Sequence, residues 1–153
     1  YKWMTSFQQS LFPEWIFSVE KITLKKTIAM VHGANTTLIS YEVIDADCSF
    51  EMELLPLVAY RGYHELKKQD NFIHREGVFK EHTLAINAYE QAPSVYIQVP
   101  GASYTANPNW YFHFHYNVEQ YRGMDDREDL FSYGHFTVTL KKGSKLVVVV
   151  SMD

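Results

Sequence analysis

The stretch Asn109-Trp110-Tyr111-Phe112-His113-Phe114-His115-Tyr116-Asn117-Val118-Glu119 decides the fold. In an extended chain, successive side chains point to opposite faces. One face then carries Trp110, Phe112, Phe114, Tyr116 and Val118; the other carries Tyr111, His113, His115, Asn117 and Glu119. The alternation predicts a strand over 110–118 with its aromatic side in the core. The second face is a row of aromatic and hydrogen-bonding groups. Such a row suits a sugar, whose CH faces stack on aromatics while its hydroxyls need donors and acceptors. It also suits the solvated side of an ordinary amphipathic strand, which the pattern alone favours.

Working outward, the same reading gives strands over 15–19, 22–24, 27–31 and 36–44, with a bulge or tight bend at Lys25-Lys26 and a turn at Gly33-Ala34-Asn35. A long strand over 51–61 is interrupted by Pro56, which cannot donate to a ladder. Short strands follow over 72–73, 78–79, 83–89 and 94–99, with Pro100-Gly101 and Asn107-Pro108 as breakers. Residues 119–132 read as a charged irregular segment with one short helical turn. Residues 136–140 and 146–150 flank Lys141-Lys142-Gly143-Ser144-Lys145, which reads as a hairpin loop. Val, Ile, Thr and the aromatics together supply 54 of the 153 residues, so composition agrees with an all-β chain. The expected fold is an antiparallel β-sandwich with little helix, one domain spanning 1–153.

Charge and cysteine content exclude several classes. A net charge of -4 gives no general attraction for nucleic acid or anionic lipid. Cys48 is the only cysteine, so no intrachain disulfide forms, which suits a reducing compartment such as the cytoplasm. The apolar run 146–150 is far too short to span a bilayer. Asn35-Thr36-Thr37 fits a glycosylation pattern but reads better as turn chemistry.

The chemistry-bearing candidates are few. His113 and His115 project together near Glu119, yet no closed set of four ligands has metal-site spacing, so no metal and no cofactor is expected. The segment 119–129 holds Glu119, Asp125, Asp126, Glu128 and Asp129 beside Arg122 and Arg127. Two carboxylates at the right separation hydrolyse a glycosidic bond, but one must carry a raised pKa. Nearby arginines hold carboxylates ionised, so Glu119, Arg122, Asp125, Glu128 and Asp129 read as a structural loop network. Asp125 and Glu128 also have capping-box spacing. No nucleophile elbow or phosphate-cradling glycine loop is present, and Cys48 lies among Asp45, Asp47 and Glu51, a poor setting for a thiolate.

Several ordered stretches resemble one family. They are Phe12-Pro13-Glu14-Trp15, Leu24-Lys25-Lys26-Thr27, and Met30 to Thr37 with Tyr41. Further along come Leu55-Pro56-Leu57-Val58-Ala59-Tyr60-Arg61-Gly62-Tyr63-His64 and Trp110-Tyr111 with Tyr116, Glu119, Arg122-Gly123-Met124-Asp125 and Glu128-Asp129-Leu130-Phe131. Together they resemble the N-terminal domain of bacterial and archaeal-type glycogen debranching enzymes. Residues 66–106 match least distinctively. Tyr133 stands where proline is usual, and Met124 where leucine is common.

The resemblance implies most of a large β-sandwich preceding an (α/α)6 barrel, which would follow residue 153 and carry the amylo-α-1,6-glucosidase acid and base. The chain itself would then be non-catalytic. Its partners would be that barrel in the same polypeptide and, at a shared cleft, glycogen or maltooligosaccharide. The candidate glucan contacts are Tyr111, His113, His115 and Asn117 from the strand face. Arg61 and His64 are added because the family motif places them at a strand end. A stand-alone carbohydrate-binding module and a purely structural assembly module are the competing readings.

Overall fold

The computed structural model describes residues 2–152. Eleven strands and one short helix follow the chain in this order: β1 (Met4–Gln9), β2 (Pro13–Val19), β3 (Ile22–Met30), β4 (Thr36–Asp45), β5 (Phe50–Leu54), β6 (Gly77–Lys80), β7 (Thr83–Ile86), β8 (Val95–Gln98), β9 (Ser103–His115), α1 (Asn117–Tyr121), β10 (Arg127–Leu140) and β11 (Lys145–Ser151). They form an eight-stranded sheet of order β1-β2-β3-β4-β11-β8-β7-β6 and a three-stranded sheet of order β5-β10-β9. Every strand pair is antiparallel. The all-β sandwich expected from composition and alternation is the fold observed.

The core lies between the sheets. Val43, Leu84, Ile86 and Val148 from the larger sheet meet Phe131 and Phe136 from β10. Phe79 of β6 packs 5.1 Å from Tyr104 of β9, so β9 lies over the β6 side. The end of β5 faces Ile39 and Tyr41 of β4 across a small gap. The smaller sheet therefore covers the β4-to-β6 part of the larger one, and β1, β2 and much of β3 extend beyond it.

Several local readings change: the short strand expected over 72–73 does not form, and 127–132, read as irregular, is the first part of β10. The hairpin at 141–145 is instead a crossing between layers, since β10 and β11 belong to different sheets. Its loop hydrogen-bonds to β4: Val43 N–H donates to Ser144 O, and Gly143 N–H, at φ 80°, donates to Val43 O. Lys25-Lys26 makes no bend; the register shift falls at Thr23–Leu24 opposite Asp45–Val43. Asn107-Pro108 does not break β9 but forms a bulge, the place where a sheet tolerates proline. The strand expected to run past Pro56 ends at Leu54, and only an isolated bridge from Val58 to Phe131 resumes the pairing.

The decisive stretch also departs from strict alternation. Trp110 is buried, but Phe112 is 49% exposed and Val118 is on α1 and 67% exposed. The cause is a second bulge. Glu128 pairs with Phe114 while Leu130 pairs with Tyr111, so β9 carries one extra residue there. His113 takes up the slack with φ 61°. Past such a bulge, the inward and outward sets exchange. The strand then ends at His115.

Candidate functional site

The segment 55–76 between β5 and β6 contains no strand or helix, and a loop of this length needs anchors. Three carboxylates supply them. Glu128, 1% exposed, accepts from Arg61 Nε at 2.5 Å and Nη2 at 3.2 Å, from Tyr116 Oη at 2.5 Å, and from Lys67 N–H at 3.0 Å. Asp129 accepts from Gln69 N–H at 3.0 Å with one oxygen and from His113 N–H at 3.1 Å with the other. One buried side chain thus fastens the loop and the β9 bulge together. Asp70 accepts from the N–H groups of Phe72 and Ile73, from Tyr89 Oη and from Lys67 Nζ. Backbone bonds between Val58 and Phe131 in both directions, and from Asp129 N–H to Lys67 O, complete the attachment.

The electrostatics follow from these donors. Burial pushes the Glu128 carboxyl up, but Arg61, Tyr116 and the Lys67 N–H outweigh it and hold it below the ordinary range. Asp129 behaves likewise: burial raises it, and the His113 and Gln69 N–H groups bring it down. For Asp70, burial is again outweighed by Lys67, Tyr89 and Phe72, and its pKa falls to about 2. These are ionised carboxylates that hold chain together, the opposite of a protonated glycosidase acid.

Above this floor opens a cleft of about 860 Å³, lined by Arg61, Tyr63, His64, Leu66, Tyr116, Glu119, Arg122, Met124 and Asp125. Tyr63 is 85% exposed, and its ring centroid is 3.7 Å from that of His64. Arg122 Nη1 reaches Glu119 Oε1 at 3.5 Å across the α1 turn. Arg61 is occupied from within: besides Glu128, its Nη1 donates to the carbonyls of Gly62 and Tyr63. It shapes the cleft wall and has little left to offer a ligand.

The structure therefore brings Arg61, His64, Glu119, Arg122 and Asp125 around one cleft. Glu128 lies beneath them. The polar row of β9 does not reach the cleft. Tyr111 lies opposite Leu130, His113 is in the bulge, His115 Nε2 is 2.9 Å from Asp126 Oδ2, and Asn117 opens α1. These four share no continuous face. The helical turn precedes Asp125, so the Asp125–Glu128 capping box does not form, and Glu128 and Asp129 lie in β10. Sequence reasoning did not single out Tyr63, Tyr116, Lys67 or Asp70 as site residues; Tyr63 and Tyr116 stood in the stretches that carry the family resemblance, while Lys67 and Asp70 carried no signal. Among the described residues, no three His, Cys, Asp or Glu side chains gather as metal ligands.

The family model for the glycogen debranching enzyme N terminal matches residues 1–147 of the 153. The chain belongs to the glycogen debranching enzyme N-terminal family. Three segments that carry the resemblance contribute to the cleft: 55–64 through Arg61, Tyr63 and His64, 110–116 through Tyr116, and 119–131 through Glu119, Arg122, Met124 and Asp125; the resembling stretches between 12 and 41 belong to the larger sheet instead. No curated protein matches the chain. No helix among the described residues is long and apolar enough to cross a membrane.

Proposed function

We propose that this chain is the non-catalytic N-terminal domain of a glycogen debranching enzyme, packing on the catalytic domain of the same polypeptide and contacting glucan through the Tyr63–His64 cleft. The observation that carries this reading is the exposed ring pair. Tyr63 and His64 stand on a loop fastened by three ionised carboxylates, so an aromatic surface is held still beside polar groups. A glucose ring stacks its CH face on such a surface while Glu119, Asp125 and Arg122 offer partners for its hydroxyls. A platform fixed before binding loses little entropy when the sugar arrives.

Titration of maltooligosaccharides against the intact enzyme tests it. Tyr63→Ala weakens binding by about 2–10-fold, the range expected for a lost stacking contact of ~0.5–1.5 kcal/mol. Tyr111→Ala and His113→Ala, outside the cleft, serve as comparisons for the strand face. Unchanged binding and cleavage after Tyr63→Ala and His64→Ala would remove glucan contact from the cleft.

A further inference from the structure

One cross-strand row of the larger sheet runs Phe7, Trp15, Lys26, Tyr41, Leu146, each directly opposite the next across β1, β2, β3, β4 and β11. Directly opposed residues project to the same face. Leu146, at one end of the row, is 5% exposed beneath the smaller sheet; Phe7, at the other, is 52% exposed. Met30, two residues beyond Ile28 on the same face, is 73% exposed. The apolar face of the core thus continues outward past its cover as a shelf. Lys26 stands in the middle of it, its Nζ 5.8 Å from the Trp15 ring and 5.9 Å from the Tyr41 ring. No acidic side chain pairs with it among the described residues. Lys25, on the opposite face, has Glu42 at 2.8 Å. Burial alone pulls the Lys26 ammonium below its ordinary value.

The cover stops at β5, which among the described residues pairs only with β10 and ends over Ile39 and Tyr41. Its outer backbone edge is unpaired at the rim of the shelf. We infer that the shelf is covered by further β-strands of the enzyme polypeptide, the first added along the free edge of β5 with a carboxylate facing Lys26 and the next carrying apolar side chains over Trp15 and Phe7. Strands meet both needs. The first satisfies the β5 edge, and every second side chain falls on the shelf from a layer about 10 Å above it. A helix would leave the β5 groups unpaired. The apolar alternation matches the core with which the shelf is continuous, and the carboxylate supplies the charge that Lys26 lacks. This inference rests on the reading of the chain as one domain of a larger enzyme.

Hydroxyl-radical footprinting of the intact enzyme tests it, with Lys26→Glu and Lys26→Arg alongside. Phe7 and Met30 are expected to be protected at least ~10-fold relative to their intrinsic side-chain reactivity, as for a closed core. Lys26→Glu, which places like charges together, opens that protection; Lys26→Arg keeps it. Labelling of Phe7 and Met30 at the level of their present exposure overturns the inference, and so does protection indifferent to Lys26→Glu. Protection lost on dilution assigns the shelf to a second copy, and protection that needs added maltoheptaose assigns it to glucan; either also overturns it. If Tyr63→Ala weakens glucan binding while Phe7 labels freely, the cleft reading stands and this one falls.

Discussion

Glu128 is the residue on which the site turns. It is buried, ionised and bonded to Arg61, Tyr116 and the Lys67 N–H. Glu128→Gln removes the charge and leaves Arg61 facing a neutral amide. Arg61 keeps partial access to water, so the expected cost is about 2–3 kcal/mol, at or below the ~3–5 kcal/mol of a wholly buried pair. Urea denaturation reads it directly. Asp70 gives a pH signature. Its folded pKa of about 2 lies below the ordinary ~3.9 of an unfolded aspartate. A depressed folded pKa contributes stability that is complete above the unfolded value and lost as pH falls through the folded one. Stability should therefore drop between about pH 4 and 2 in the wild type. Asp70→Asn should be less stable at pH 7 and show a shallower acid limb in that window. Gly134 offers a steric test. A Cβ there would lie 2.2 Å from Thr105 O, at φ 150°. Gly134→Ala should cost about 2–5 kcal/mol, combining overpacking against β9 with backbone strain. A change in unfolding free energy below 1 kcal/mol would mean that β9 can shift aside.

At the scale of elements, β9 is where sequence reading and structure part. The bulge at His113 follows from a contact no pattern displays: Asp129, on the neighbouring strand, accepts the His113 N–H and draws that residue into the left-handed region. The expected consequence separates backbone from side chain. His113→Gly keeps stability within about 1 kcal/mol of wild type, since glycine takes a positive φ without penalty. His113→Val costs roughly 1–2 kcal/mol more, because a β-branched residue resists that region. If thermal unfolding ranks valine above glycine, the bulge is not held as described. Local alternation was legible where both neighbours were regular, as in β4, β8 and β11. It failed at β9, where the neighbouring strand of the same sheet imposes a bulge, and after β10, where the chain crosses to the other sheet. Lys141 to Lys145 looks like a hairpin because two apolar runs flank a glycine, but layer assignment depends on contacts with β4 that are about 100 residues away in the chain. The site was legible in pieces. Glu119, Arg122 and Asp125 stood out as a charged loop network, and Arg61 and His64 only through the family motif, while the loop that gathers them is ordered by Asp70 and Lys67, which no motif marks.

Across the whole molecule, the direction of every resolved carboxylate shift is the same. Glu42, Asp45, Asp70, Glu128 and Asp129 all lie below their ordinary values. Hydrolysis of a glycosidic bond needs one carboxyl that stays protonated near neutral pH, normally through burial without a cation. Here each buried carboxylate has donors that favour its charged form, so burial serves attachment of the long loop instead of acid catalysis. Purified chain 1–153, incubated with a branched dextrin, should release no glucose above a blank. The same assay on the intact debranching enzyme provides the positive comparison. Glu128→Gln in the chain should alter only its unfolding transition. Glucose release by the chain alone, abolished by Glu128→Gln at a temperature where the variant is still folded, would make Glu128 a catalytic acid and overturn the structural assignment. The intact enzyme separates binding from bond breaking. There, Glu128→Gln should lower maltooligosaccharide affinity in parallel with Tyr63→Ala, because the cleft wall depends on Arg61 being held. It should leave the bond-breaking step of bound substrate unchanged in single-turnover measurements.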